Sequence, residues 1–333
     1  LPREVLRACS GGKRKSRKGL GDGLGKMRKL SVPHFYGAYS ALGNQTNLYD
    51  SAARKPQPKI SYGVKNAPDY ILTDTFLKRF SNFVRHDKTF LDPRTISKDA
   101  SLQVIAEQYI QFAELINKTI KPREIQTVIG GDNSVTFASL LALLRREKNP
   151  KEIGVIIFDS HGDIHKKNTS PSGNFQGMYL RPFFDTFDNK TVDAYVKKKI
   201  PLTNLIYVGN LTLEPEERVF INKNKILELN KETLKNRMDY ALTCLTEFVK
   251  RYKHIHISLD PDVLDKSIMP AVQIPAENGL LLEHVLPLLK IIPEEAKSFS
   301  VDLSEIDPKK RGIKRTVEVA HKMLYLLLTG QTL

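Results

Sequence analysis

Tryptophan is absent from this sequence of 333 residues, and only two cysteines, Cys9 and Cys244, are present. Two cysteines are too few for a disulfide scaffold, which favours a reducing compartment with the cytoplasm as the default. No apolar run approaches the roughly 20 residues that a membrane-spanning helix needs, so we expect no membrane segment. The 41% hydrophobic and 27% charged residues are typical of a soluble globular protein with a sizeable core.

Acidic residues are outnumbered, because the formal net charge is +15, but the excess is uneven along the chain. Residues 1–30 contain ten Lys and Arg against Glu4 and Asp22, a net +8, which leaves +7 for the rest. Such a segment buries too little apolar surface to offset its ordering entropy. We therefore expect a basic, disordered tail over residues 1–30 and a single α/β domain over residues 31–333. A targeting segment or a nucleic-acid patch is the alternative for the tail, although nucleic acid is not the partner we expect.

Short apolar, β-branched runs alternate with amphipathic stretches from Leu30 onward. The runs predict strands at Lys59–Val64, Ile125–Gly130, Ile153–Asp159, Asn204–Gly209, His254–Asp260 and Ser298–Leu303. The amphipathic stretches predict helices at Leu102–Ile120, Thr136–Glu147, Lys231–Tyr252, Leu281–Ile291 and Thr316–Leu328. This alternation implies an α/β fold with a mostly parallel sheet that is covered on both faces. In such sheets the ligand site lies beyond the carboxyl ends of the strands.

Three of the predicted strands run into polar clusters, namely Asp159, His161 and Asp163, then Asp260 and Asp262, and lastly Gly130–Ser134 with Asn133. Each cluster alone has a simpler interpretation, because an Asp at a strand end often caps the next helix. Four carboxylates in one small space cannot all stay ionised by themselves, and two divalent ions would neutralise them. Oxygen ligands with a single imidazole suit Mn²⁺ better than Zn²⁺. The clusters together predict a metal-dependent hydrolase.

Four short motifs, in this order, resemble those of the arginase (ureohydrolase) family. They are GGDNS at Gly130–Ser134, DSHGD at Asp159–Asp163, SLDPD at Ser258–Asp262 and EIDP at Glu305–Pro308. The resemblance covers roughly residues 60–330. It implies a three-layer α/β/α sandwich, assembled as a homo-oligomer, commonly a trimer, with a guanidino or amino-acid small molecule as ligand.

The resemblance also implies a role for each matching residue. The expected metal ligands are Asp159, His161, Asp163, Asp260, Asp262 and the residue at position 133, with Asp159 and Asp260 bridging two Mn²⁺ ions. The expected catalytic residues are Asp163, Glu305, which would face the guanidinium, and the residue at position 176. Ser172 and Asn174 would contact the α-carboxylate end of the substrate.

Several positions depart from the family pattern. Asn133 replaces a ligating His, and because an amide oxygen is a neutral and weaker donor, we expect one well-formed Mn²⁺ site and a second that is weak or empty. Gln176 replaces a His and cannot titrate, so it cannot carry a proton to the leaving amine. The other departures are at the substrate end, namely Thr212, Glu214, Ile274 and His165. Glu214 would contact the substrate amine. His165 either lines the cavity or is a surface residue.

These observations leave two main interpretations. The first is an arginase-like protein that keeps the fold but has little or no arginine-hydrolysing activity, because several independent catalytic losses multiply. The second is an active Mn²⁺-dependent hydrolase of arginine or another guanidino or amidine compound, favoured by the retained Asp ligands, His161 and Glu305.

Overall fold

The computed structural model describes residues 32–44, 61–92, 101–209 and 212–333. The basic tail predicted over residues 1–30 lies outside the described residues. Within the described part, eight parallel strands form one sheet in the order β2-β1-β3-β8-β7-β4-β5-β6. The strands are β1 (Val32–Tyr39), β2 (Val84–Thr89), β3 (Glu124–Gly130), β4 (Ile153–Asp159), β5 (Leu205–Gly209), β6 (Leu227–Asn230), β7 (His254–Leu259) and β8 (Phe299–Leu303).

Helices cover both faces of the sheet. They are α1 (Ala67–Ile71), α2 (Asp74–Leu77), α3 (Ser101–Thr119), α4 (Val135–Arg146), α5 (Arg181–Phe184), α6 (Lys190–Tyr195), α7 (Pro215–Asn224), α8 (Lys231–Asn236), α9 (Met238–Arg251), α10 (Leu282–Glu295) and α11 (Ile313–Thr329). One apolar core joins the sheet to α1, α2 and α8 to α11, and a second joins it to α3 to α7. This arrangement confirms the predicted three-layer α/β/α sandwich.

The strand β4 shows why this sheet is parallel and central. All seven of its residues are buried, and its apolar side chains alternate between the two cores. Ile156 and Phe158 enter one core, while Val155 and Ile157 enter the other. A strand that is apolar on both faces can only lie between two covering layers.

The predicted strands corresponding to β3, β4, β5, β7 and β8 are confirmed within two residues at each end. The strand predicted at Lys59–Val64 is wrong over its described part, because Tyr62–Asn66 forms a 3-10 helix. The Ser61 hydroxyl caps that helix by accepting a hydrogen bond from the Gly63 amide at 3.0 Å. The helix predicted at Lys231–Tyr252 is two helices, α8 and α9, that are separated at Arg237.

The topology brings four loops together at one edge of the sheet. Strands β3, β8, β7 and β4 are neighbours in that order and run in the same direction. Their carboxyl ends therefore deliver Asn133, Glu305, Asp260 and Asp159 to one place. None of the helices in the described part of the chain is long and apolar enough to cross a membrane.

Candidate functional site

A cavity of about 280 Å³ opens over these four strand ends. Of the twelve residues that the sequence predicts for the site, eleven line it, namely Asn133, His161, Asp163, His165, Ser172, Asn174, Gln176, Glu214, Asp260, Asp262 and Glu305. Asp159 lies beneath them and is 1% exposed. The structure therefore brings the predicted residues together, while the individual roles assigned to them stay predictions.

Asp159, His161 and Asp262 form one compact group of potential metal ligands in this cavity. One ligand atom from each lies within 4.8 Å of the other two. The His161 Nδ1 is 3.0 Å from Asp262 Oδ2 and 3.4 Å from Asp159 Oδ1. Backbone amides hold the carboxylates in place, because the Ser160 amide donates to Asp262 Oδ1 and the His161 amide donates to Asp159 Oδ1.

Asn133 presents its amide nitrogen, and not its oxygen, to the carboxylates. The Nδ2 atom donates to Asp260 Oδ2 at 2.8 Å and to Asp163 Oδ2 at 2.9 Å, and it lies 3.5 Å from Asp159 Oδ2. The Oδ1 atom accepts a hydrogen bond from the Ser304 hydroxyl. The sequence predicts the opposite orientation, with the amide oxygen as a weak metal ligand. An N–H donor suits anionic acceptors and cannot ligate a cation.

The carboxylates in the cavity are difficult to ionise together. Burial and then the charges of neighbouring carboxylates raise the pKa values of Asp159, Asp163, Asp260 and Glu305 well above their ordinary range. Burial lowers the pKa of His161, but the charges of Asp262 and Asp159 outweigh it and leave that pKa well above its ordinary value. A divalent cation bound among these buried carboxyl groups would stabilise their ionised forms.

Two non-glycine residues of the site have left-handed backbone conformations. The φ angle is 50° at Asp163 and 61° at Glu305. Such conformations cost energy and persist only where surrounding contacts hold them. Two hydrogen bonds hold Glu305. Its backbone amide donates to the Gly131 carbonyl at 2.7 Å, and its side-chain Oε1 accepts from the backbone amide of Asn133 at 2.6 Å.

His165, Glu214 and Glu217 form a second polar group that lines the cavity and meets the same distance criterion for potential metal ligands. The His165 Nε2 is 2.6 Å from Glu214 Oε2, and its Nδ1 is 3.1 Å from the Thr169 hydroxyl. His165 is only 3% exposed, so its interpretation as a surface residue is wrong. Glu217, which the sequence analysis did not single out, is buried because it completes the capping box of α7. A Glu three positions after the capping residue Glu214 is the sequence pattern of a capping box, and this pattern indicates Glu217.

Gln176 is held by side chains that the sequence analysis also missed. Its Oε1 accepts a hydrogen bond from Gln273 Nε2 at 3.1 Å. Gln273 is paired in turn with Asn44, through Asn44 Nδ2 to Gln273 Oε1 at 2.8 Å and Gln273 Nε2 to Asn44 Oδ1 at 2.9 Å. Asn44 is one of the first 60 residues and lies far from any motif in the sequence, so no local pattern points to this contact.

A buried polar network supports the floor of the site. The Thr136 hydroxyl donates to Asp302 Oδ1 at 2.7 Å, and His256 Nε2 lies 2.9 Å from Asp302 Oδ2. The next members towards the far end of the sheet are Ser300 and His254. Both histidines are buried in the sheet, where the alternation of His254 and His256 with isoleucines predicts packing and not metal ligation.

The model of the arginase family matches residues 58–330. The chain belongs to the arginase family. It is 26% identical over 229 residues to the arginase of Bacillus subtilis, a match that covers 64% of this chain and 73% of that protein. It is 28% identical over 225 residues to the arginase of Plasmodium berghei, covering 65% of this chain and 62% of that longer protein. The fold is similar to the crystal structure of Entamoeba histolytica arginase in complex with L-ornithine, with a TM-score of 0.77 and 21% sequence identity. The match covers 90% of this chain and 98% of that one.

The metal ions that this arginase-family fold implies can be tested against the residues present. Carboxylates of Asp159, Asp260 and Asp262 with the imidazole of His161 are a donor set that fits one divalent cation. The second position, between Asp159, Asp163 and Asp260, does not fit in the same way. The Nδ2 atom of Asn133 already donates to the carboxylates there, and the amide would have to turn over before its oxygen faced a cation.

Proposed function

We propose that this chain is an arginase-family protein that holds one Mn²⁺ ion and hydrolyses arginine slowly or not at all. The observation that carries the proposal is the orientation of Asn133, whose amide nitrogen bonds Asp163 and Asp260 where the second ion of the family would need ligands. The retained ion would be held by Asp159, His161, Asp260 and Asp262. When bound, it would polarise a ligand oxygen or lower the pKa of a water molecule.

The chain's own residues limit catalysis at a second point. Gln176 stands where the family resemblance implies a His, and an amide neither accepts nor releases a proton near neutral pH. Loss of a general acid or base typically removes about 10²–10⁴-fold in rate. Because this loss and the loss of the second ion affect different parts of the reaction, we expect their effects to combine.

The cavity itself favours binding of a small polar molecule. Ser172, Asn174, Glu214 and Glu305 all line it, so the polar groups of an amino-acid-like ligand would find partners there. The Entamoeba arginase was crystallised with L-ornithine, which makes ornithine and arginine the first ligands to try. We accordingly propose that the chain still binds a small ligand although it does not turn it over efficiently.

The second candidate is an active hydrolase for a different guanidino or amidine compound. The observation that favours it is Glu305, which the fold holds in a strained left-handed conformation at the cavity surface. Strain that is maintained at one side chain is typical of a functional position. We expect the cytoplasm as the compartment and a homo-oligomer, a trimer by resemblance, as the assembly for either candidate.

The test is urea release from L-arginine with saturating Mn²⁺, measured for the natural chain, Asn133→His, Gln176→His and the double variant. We expect the natural chain to be at least about 10³-fold slower than the double variant, since both missing functions return together. The exposed Asn82→His and Gln103→His serve as matched controls for adding imidazoles. Hydrolysis by the natural chain at ordinary enzyme rates, of about 1–10³ per second, would refute the proposal.

A further inference from the structure

The pair formed by Asn44 and Gln273 has only one consistent orientation. The two amides exchange hydrogen bonds with each other at 2.8 and 2.9 Å. Turning both over together would keep that exchange, but Asn44 Nδ2 also faces the Ser61 carbonyl at 3.5 Å. In the reversed pair, an amide oxygen would face that carbonyl oxygen, and two acceptors repel. The Nε2 atom of Gln273 is thereby fixed as the donor towards Gln176.

This orientation determines which end of Gln176 meets the cavity. Because Gln273 Nε2 donates to Gln176 Oε1, the carbonyl of Gln176 is turned towards Gln273 and its NH₂ group is turned away. Gln176 lines the cavity and is half-buried. Within the described part of the chain, its Nε2 atom has no hydrogen-bond acceptor. Because Gln176 lines the cavity, we infer that this unused N–H donor faces it.

A second neutral group in the same cavity also lacks a partner. Asn174 is 1% exposed, and its Oδ1 atom is buried without a hydrogen bond to any described residue. Asn174 belongs to the cavity lining, as Gln176 does. The Asn174 oxygen is covered by protein atoms, so it discriminates little between ligands, and the acceptor that a ligand must supply is the one for Gln176. A polar group that stays unsatisfied on binding costs affinity, so the donor of Gln176 selects among ligands.

We propose that Gln273 is a specificity-determining positioning residue, which turns the NH₂ group of Gln176 into the cavity so that the site selects ureido or carboxamide ligands. A guanidinium group has only donors, and it would meet the donor of Gln176 without any acceptor to offer. A ureido group replaces one of those nitrogens by oxygen and keeps N–H groups that can donate hydrogen bonds to Glu305. This inference rests on the proposed function, because a ligand bound without rapid hydrolysis is what the site would retain.

The experiment compares L-arginine with L-citrulline, which differ by this one exchange of nitrogen for oxygen. Dissociation constants for both are measured by calorimetry on the full Mn²⁺-loaded chain. The natural chain is compared with Gln273→Glu, Gln176→Met and Thr212→Asp. A carboxylate at position 273 only accepts hydrogen bonds, so Gln176 would turn over, donate to it and present its oxygen to the cavity.

We expect the ratio of citrulline affinity to arginine affinity to fall by at least about tenfold in Gln273→Glu and in Gln176→Met. Thr212→Asp is the charge control, because Thr212 lines the cavity and its side chain has no recorded bond to the amide pair among the described residues. It adds the same charge as Gln273→Glu. A fall of equal size in Thr212→Asp would assign the effect to charge and overturn the proposal. Gln176→Met adds no charge and removes the donor, so it tests the donor itself.

An unchanged ratio in Gln273→Glu and Gln176→Met, or no detectable binding of either ligand to the natural chain, would also overturn the proposal. The outcome is separate from that of the proposed function. Rapid urea release from arginine would refute the proposed function whatever the affinity ratio, whereas a wrong affinity ratio leaves slow turnover intact.

Discussion

Replacing Asn133 by leucine tests how the buried carboxylates are held together without metal. The side chain is 5% exposed, and leucine branches at the same atom without polar groups; its greater bulk is matched by the control variant described below. The variant removes two hydrogen bonds, at 2.8 and 2.9 Å, that the amide donates to Asp260 and Asp163. Hydrogen bonds to charged acceptors are worth roughly 1.5–3 kcal/mol each, and since the orphaned carboxylates can bind protons instead, we expect a net loss of about 3 kcal/mol.

The assay is urea-induced and thermal unfolding of the full chain in the presence of chelator. A loss of about 3 kcal/mol corresponds to a decrease in Tm of roughly 4–5 °C for a chain of this size. Asn174→Leu is the matched control, since Asn174 is equally buried in the same cavity but its Oδ1 has no partner among the described residues. We expect that control to show only the cost of the added bulk, and Asn133→Leu to lose about 3 kcal/mol more than it. Equal losses in the two variants would show that the bonds to the carboxylates contribute nothing.

Three further predictions concern metal, pH and packing. Saturating Mn²⁺ should raise the Tm of the natural chain, by mass action of about 2.7 kcal/mol at a hundredfold excess over Kd, and should not raise that of His161→Ala, as thermal scans with and without chelator will show. Burial raises the pKa values of the site's carboxyl groups, so the folded state binds more protons than the unfolded state does. In chelator, the free energy of unfolding should therefore fall as the pH rises above about 4.5. A free energy of unfolding that increases from about pH 5 to pH 8 in urea titrations would contradict this. Burial lowers the pKa of His254 to about 3, which acts in the opposite direction below pH 6.5, so the titration is best repeated with His254→Gln. Thr136→Val should cost about 1–3 kcal/mol by removing the 2.7 Å bond to Asp302, whereas the exposed Thr212→Val should cost almost nothing in the same unfolding assay.

The elements at the centre of the sheet are the ones that the sequence predicts. Strand β4 is apolar on both faces, whereas β3, β7 and β8 are buried but include polar residues such as His256 and Asp302. All four run into a polar motif, so burial pattern and motif agree. The edge strand β2 reads Val-Arg-His-Asp-Lys-Thr and has no apolar pattern, because one side of an edge strand meets solvent. Strand β1 contains Pro33 and Gly37, which ordinarily argue against a strand. Strand β6 has only four residues, too few for any periodicity.

The composition of the site was also within reach of the sequence, but its hydrogen bonding was not. The sequence identifies Asn133 as the departure from a ligating His, yet which end of its amide faces the site depends on the carboxylates of Asp163 and Asp260, 30 and 127 positions away. The same holds for Gln176, whose orientation depends on Gln273 and, through it, on Asn44. An amide has a donor end and an acceptor end of almost equal shape, so only its three-dimensional partners decide between them.

The backbone around Asn133 leaves little room for adjustment. Gly131 passes so close to the Ser40 carbonyl that a Cβ at position 131 would lie 1.5 Å from that oxygen. Its own carbonyl accepts the hydrogen bond from the Glu305 amide. The loop that carries Asn133 is therefore fixed between β1 and the loop that carries Glu305, and the amide of Asn133 can turn over only about its own side-chain bonds.

The central claim is that the amide of Asn133 takes the place of the second metal ion. The most direct measurement is the number of Mn²⁺ ions per chain, by mass spectrometry of the metal after equilibration at micromolar free Mn²⁺ and gel filtration. The account predicts one ion for the natural chain and two for Asn133→His, with the Asn82→His control remaining at one. Two ions in the natural chain, or one in both it and Asn133→His, would contradict it.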